Sequence, residues 1–311
     1  MRLAFILLLL SACASDKTET VADACNQVAT ARCDRLAACS MADLRKRWPD
    51  EATCIARETL ACTEGQAAPN TAATPVTVSA CADALAASTC ESMFAAQPPA
   101  ACAPQDGPGA VGAACSFASQ CSTGYCSVGP TTLCGTCETP PVAGADCTTA
   151  GCGPTLVCVR ATMQCQAPVA AGGACGKGLP CEETLACVGA TDTVMGTCTA
   201  QLTTVGATCD PTRKTGPDCA SSAGVVCDAM TKQCVTQPLA AAGQPCGPIN
   251  GVNTACLAGA TCVIPPGTTS ATCIAPAADG AACDETTGPG CETPARCVGG
   301  TCQLPGSQTC S

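Results

Sequence analysis

The sequence predicts a small disulfide-rich fold: an N-terminal disulfide-stapled α-helical domain followed by an array of short β-hairpin cysteine-rich repeats. Three observations carry that expectation. Cysteine supplies 35 of 311 residues, about 11 %, a level typical of secreted disulfide scaffolds. Apolar bulk is scarce: only eight leucines follow residue 103, and the aromatics beyond the leader are Trp48, Phe94, Phe117 and Tyr125. Units below roughly 40 residues with so little core usually need cross-links to fold. Finally, the cysteines of the C-terminal two thirds recur in a fixed frame with glycine.

The first element is the leader. Arg2 followed by Leu3–Leu10 reads as a charged n-region and a short h-region, a secretion signal over residues 1–12. Leu10-Ser11-Ala12-Cys13 then resembles the lipobox of bacterial lipoproteins at all four positions. The resemblance implies cleavage before Cys13, lipidation of Cys13 and a stable membrane anchor, since several acyl chains hold far better than one. Ala14, rather than Asp, then favours the outer membrane or cell surface. The alternative is ordinary cleavage at Ala12-Cys13-Ala14. Either route takes Cys13 out of the disulfide pool and leaves an even 34 cysteines. Residues 13–24 read as a polar tether.

Residues 25–102 hold Cys25, Cys33, Cys39, Cys54, Cys62, Cys81, Cys90 and Cys102 in Ala-rich, helical sequence. Asp50 after Pro49 is a plausible N-cap for a helix through Cys62. The segments 21–39 and 78–94 read as two further helices, and 63–78 as a loop with Pro69 and Pro75. Cys25 and Cys33 are eight residues apart, as are Cys54 and Cys62. On a helix that is one face but about 12 Å, too far for a disulfide, which needs Cα atoms within about 7 Å. These cysteines must therefore bridge between helices, and four interhelical disulfides are expected. Arg45-Lys46-Arg47 reads as a solvated helix face and Trp48 as helix packing.

Residues 103–114 read as a Gly/Pro linker, and residues 115–311 as six repeats. Each repeat opens with Gly-x-x-Cys, at Cys115, Cys147, Cys175, Cys209, Cys246 and Cys283, spaced 32, 28, 34, 37 and 37 residues. The inner cysteines follow, as in "CSTGYC" (Cys121 and Cys126), "CGPTLVC" (Cys152 and Cys158) and "CEETLAC", and a fourth closes the unit, as Cys137 and Cys165 do. The glycines suit tight turns that need φ > 0. Four cysteines allow three pairings per unit; the reading leans to first–third and second–fourth. Cys134 and Cys310 fall outside the frame, and their partners stay open. At about 20 Å per unit, the array reaches on the order of 100 Å if extended.

The Gly-x-x-Cys and Gly-Tyr-Cys elements and the spacing resemble Dickkopf N-terminal-like and EGF-like cysteine-rich modules, in the short form of bacterial surface lipoproteins. The resemblance covers roughly residues 112–302 and implies small hairpin units. It carries over no receptor-binding residues.

The formal net charge is −10, and an acidic surface repels phosphate backbones, so nucleic acid is not an expected partner. With no histidine, Ser-His-Asp and Cys-His catalysis and His-bearing zinc sites are ruled out. Glu182-Glu183 and Asp284-Glu285 read as exposed loop charges. The single Cys-x-x-Cys, Cys134 to Cys137, lacks the second pair of a zinc site and the βαβ context of a redox motif. No catalytic, metal or cofactor site is expected. The sequence therefore points to a non-enzymatic, lipid-anchored cell-envelope protein, a spacer or a protein-interaction module. A secreted binding inhibitor, with Arg213-Lys214 in the loop 210–218, is the alternative. An enzyme seated in residues 25–102 ranks last, to be revived only by a pocket with buried carboxylates.

Overall fold

The computed structural model describes residues 19–94, 98–148, 151–153, 155–265, 267–306 and 310. Among the described residues five α-helices come first: α1 (Val21–Cys39), α2 (Met41–Arg47), α3 (Glu51–Ala67), α4 (Pro75–Ala86) and α5 (Cys90–Phe94). Each start is marked by a side chain that accepts an N–H of the first turn. Thr20 caps α1, Ser40 α2, Asp50 α3 and Thr74 α4, and Thr89 accepts from Ser92 at the start of α5. α1 packs against α3 and α4. Cys25–Cys62 and Cys33–Cys54 zip α1 to an antiparallel α3, so the two eight-residue spacings match rung for rung. Cys39–Cys90 ties α1 to α5, and Cys81–Cys102 ties α4 to the short helix Ala100–Cys102. The core here is small: Cys33, Leu36, Leu44, Trp48 and Cys54, with Met93 packed on it.

Local reading differs from the structure in four places. The helix starts at Val21, so residues 21–24 belong to α1 rather than to the tether. The loop is 68–74 rather than 63–78, because α3 runs on to Ala67 and Pro75 sits inside the first turn of α4, where its missing N–H costs nothing. The segment 78–94 is two helices, because Ser88 folds back on the Leu85 carbonyl and Thr89 caps a new start. The stretch 103–114 is no free linker: Gly107 and Gly109 donate to the carbonyls of Cys121 and Gln120 at 2.8 Å, packing so close to that backbone that no Cβ fits.

All six units share one construction. An antiparallel hairpin sets the third and fourth cysteines opposite each other, as in Cys126↔Cys137, Cys187↔Cys198 and Cys297↔Cys302. Facing residues project from one side of a hairpin, yet these pairs do not bond to each other. First bonds to third and second to fourth in every unit, from Cys115–Cys126 and Cys121–Cys137, through Cys147–Cys158 and Cys152–Cys165, to Cys283–Cys297 and Cys291–Cys302. Two disulfides thus stack on one face and form the unit's interior. The glycine of Gly-x-x-Cys has φ between +78° and +92° in all six units. Its N–H donates to the fourth-cysteine carbonyl at 2.7–2.8 Å, and the N–H of that cysteine returns to the residue after the glycine. Left-handed backbone is what permits this reciprocal pair, and glycine adopts it without cost.

The array does not extend away from the helices. It folds back around them, and units 1, 4, 5 and 6 all touch the helical domain. Gln120 of unit 1 donates to the Pro69 carbonyl at 2.7 Å, and Ala72 donates to Ser119. Lys46 donates to the Ser221 carbonyl of unit 4 at 2.9 Å. Ala258 and Gly259 of unit 5 donate to the carbonyls of Arg45 and Lys46, satisfying the orphan acceptors at the end of α2. Arg57 of α3 binds Asp279 of unit 6. The circle is closed by Cys134–Cys310, which joins unit 1 to the C-terminal tail across a sequence separation of 176. The reach on the order of 100 Å expected of an extended array therefore does not apply. The basic run is a solvated face only in part: Arg45 and Arg47 stay exposed, while Lys46 is half-buried, and Asp43 holds Lys46 and Arg47 at 3.1 Å.

Candidate functional site

Folding back creates a cleft of about 700 Å³ between the helices and units 3–6. Its helical wall carries Leu36, Trp48, Leu85, Met93 and Phe94, with Pro98 and Pro99 beside them. Trp48, Leu36 and Leu85 are buried beneath the surface, while Met93 and Phe94 are half-buried and form the accessible apolar ground. The opposite wall is polar backbone and small side chains: Ser221 and Ser222 of unit 4, Gly259 and Ala260 of unit 5, and Thr293 of unit 6. Such a surface, an apolar floor facing polar groups, suits an apolar side chain presented on a peptide backbone.

Of the three carboxylates that line this cleft, two are ion-paired. Asp43, 12 % exposed at its side chain, accepts from Lys46 and Arg47. Glu58 accepts from Arg32 at 3.3 Å. The first is an ion-pair set within α2 and the second joins α1 to α3, so neither is an acid set apart from a base as acid–base chemistry requires. Glu183 also lines the cleft. Asp284, its neighbour in the sequence reading of loop charges, organises its own turn. The Thr287 hydroxyl and the N–H groups of Thr286 and Thr287 hold its carboxyl below the usual range.

Every disulfide candidate named from the sequence is paired, and the structure assigns each a partner within its own domain or unit. Cys13 lies outside the described residues. Several sulfur triplets, such as Cys209, Cys219 and Cys234, lie within 4.8 Å of one another. They are the crossed disulfides of a unit, whereas metal ligation needs thiolates. The loop 210–218 is locked. Asp210 accepts from Thr212, Lys214 and Thr215, and Arg213 pairs with Asp218 at 3.3 Å. Arg213 has φ +54°, and its carbonyl is taken by Gly189 of unit 3.

The cleft was not visible in the sequence because Trp48, Met93 and Thr293 come from separate elements and meet only when the array turns back. The available signal was Met93-Phe94, two large apolar residues in a chain that has few. By fold this is a small disulfide-rich protein, with a stapled helical domain encircled by six two-disulfide hairpin units. No family model matches the chain, and neither does any curated protein or solved structure. Among the described residues no helix is long and apolar enough to cross a membrane.

Proposed function

We propose that the chain is a non-enzymatic binding module, anchored through lipid on Cys13 at the outer membrane or surface of a bacterial cell. It holds another envelope protein by an apolar segment in the cleft between helices and repeats. The observation that carries this reading is the cleft itself, with Met93 and Phe94 half-exposed against the polar backbone of units 4–6. Seventeen disulfides, from Cys25 to Cys310, support export to an oxidising compartment. The resemblance of the repeats to Dickkopf N-terminal-like and EGF-like modules fits a role in protein contact. The spacer reading loses its support, because the array is folded back. The inhibitor reading gains none from Arg213, whose left-handed backbone and engaged carbonyl differ from the extended strand by which peptides are commonly recognised.

Two measurements test the proposal. Cells fed an alkyne-tagged fatty acid should label the chain, and Cys13→Ala should abolish the label; a labelled variant contradicts the anchor. Cross-linking on whole cells with a photoreactive residue at position 93 should trap one envelope protein, and Phe94→Asp should prevent its capture. Capture unaffected by Phe94→Asp contradicts the cleft.

A further inference from the structure

Sixteen of the protein's disulfides act within the helical domain or within one unit. Cys134–Cys310 is different in three respects. It alone joins two parts of the array. It is one of two disulfides without a buried cysteine, the other being Cys39–Cys90. And the chain beyond Cys302 carries no other cysteine, so this bond is the tail's one covalent hold. It also has a chemical neighbour. The Ser116 hydroxyl lies 2.9 Å from Cys310 Sγ. A disulfide sulfur carries no hydrogen, so the hydroxyl is the donor.

We infer that Cys134–Cys310 is a thiol–disulfide exchange site, a clasp that an external dithiol opens ahead of every other disulfide in the protein. Exchange proceeds through thiolate attack on one sulfur and departure of the other, and the better-stabilised thiolate leaves faster. The Ser116 hydrogen bond makes Cys310 that leaving group. The attacking thiolate therefore bonds to Cys134 Sγ as the Cys134–Cys310 bond breaks, and the electron pair departs on Cys310 Sγ. The second thiol of the reagent then displaces Cys134. The dithiol ends as its own disulfide, and its two protons end on Cys134 and Cys310. The partner is thus a dithiol, small or on a protein with two neighbouring thiols.

Opening the clasp has a defined structural consequence. Units 1 and 6 face each other across a cleft of about 940 Å³, with Val128 and Glu138 on one side and Glu285 and Arg296 on the other. The clasp is the covalent bond that joins unit 1 to the tail that follows unit 6. Its loss leaves unit 6 held to the helices, among the ion pairs of the described residues, by Arg57, and removes the covalent tie between unit 1 and the tail of unit 6. Both keep their own two disulfides.

The test titrates the folded, mature protein with dithiothreitol, then alkylates and maps the peptides. Cys134 and Cys310 should be labelled first, at about tenfold less reductant than any other pair, a difference of roughly 30 mV. Earlier labelling of Cys39 and Cys90, or of any pair within a unit, overturns the inference. With glutathione in place of the dithiol, the mixed disulfide should map to Cys134. Ser116→Ala should slow clasp opening several-fold and leave the other pairs unchanged. A mixed disulfide on Cys310, or an unaltered rate in Ser116→Ala, overturns the assigned direction. Cys134→Ser/Cys310→Ser, which retains sixteen disulfides, should show faster amide exchange in units 1 and 6 than the wild type. Equal exchange overturns the clasp.

Discussion

Arg57 and Asp279 are 222 residues apart in sequence and meet in a two-pronged ion pair, Nη1 to Oδ2 at 2.7 Å and Nη2 to Oδ1 at 2.8 Å. Arg57 also donates to the carbonyls of Glu292 and Thr293. One side chain on α3 thus gathers both strands of the sixth unit's entry. Its own side chain is 13 % exposed, so little water competes.

Removing that hub should free unit 6 from the helices without unfolding it, because Cys283–Cys297 and Cys291–Cys302 remain. Hydrogen bonds to charged groups contribute about 1.5–3 kcal/mol each where water is excluded. Arg57→Ala should therefore lower stability by about 2–3 kcal/mol net, and Arg57→Lys should recover only part, lacking the fork. Amide exchange at Ala277 and Glu292, which bond across the start of unit 6, reports the release.

Acid should destabilise the protein in a narrow window. Arg57 lowers Asp279, chiefly by its hydrogen bond, and hydroxyl and backbone donors lower Asp50, Asp146, Asp210, Asp228 and Asp284. A carboxyl lowered in the folded state adds stability above its unfolded value and loses it as pH falls through the folded one. Glu51 acts oppositely: its hydrogen bond with Asp34 raises it, so its contribution is present at low pH and fades as pH rises. With no histidine in the chain, denaturation midpoints should be flat between about pH 6 and 8 and fall below about pH 3.9. Asp279→Asn should blunt that fall.

Two glycines should respond differently to alanine. Gly206 has φ +85° and open space where a Cβ would stand, so Gly206→Ala should cost about 1–2 kcal/mol of backbone strain. Gly135 faces the Ser127 carbonyl so closely that a Cβ collides with backbone. Gly135→Ala should disrupt the unit 1 hairpin and cost about 3 kcal/mol or more, at the upper end of single substitutions. Urea titration with disulfides intact separates the two.

Disulfide removal should follow burial rather than loop length. Chain entropy alone ranks Cys39–Cys90, with a separation of 51, above Cys33–Cys54, with 21. Yet Cys33 and Cys54 are fully buried against Trp48 and Leu44, so their loss adds a cavity. Cys33→Ala/Cys54→Ala should cost about 3–4 kcal/mol and Cys39→Ala/Cys90→Ala about 2, read as thermal midpoints.

The periodic part of this fold was legible in the sequence. Each Gly-x-x-Cys fixes a left-handed turn, and that turn fixes which cysteines share a face. Asp50 announced α3, and the paired eight-residue spacings announced the α1–α3 rungs. What lay beyond reach was long-range and aperiodic. Arg57 lies in a helical segment beside Glu58 with no motif to mark it, and nothing local singles out Asp279. Cys134 and Cys310 stood out only by lacking a place in the frame. The cleft depends on both relationships, so it could not be read before the array was known to turn back.

Small-angle X-ray scattering on the mature protein tests that turn most directly. A closed array should give a radius of gyration between the ~19 Å of a compact chain of this length and about 25 Å. A value above about 30 Å, that of an array extended over some 100 Å, contradicts the account.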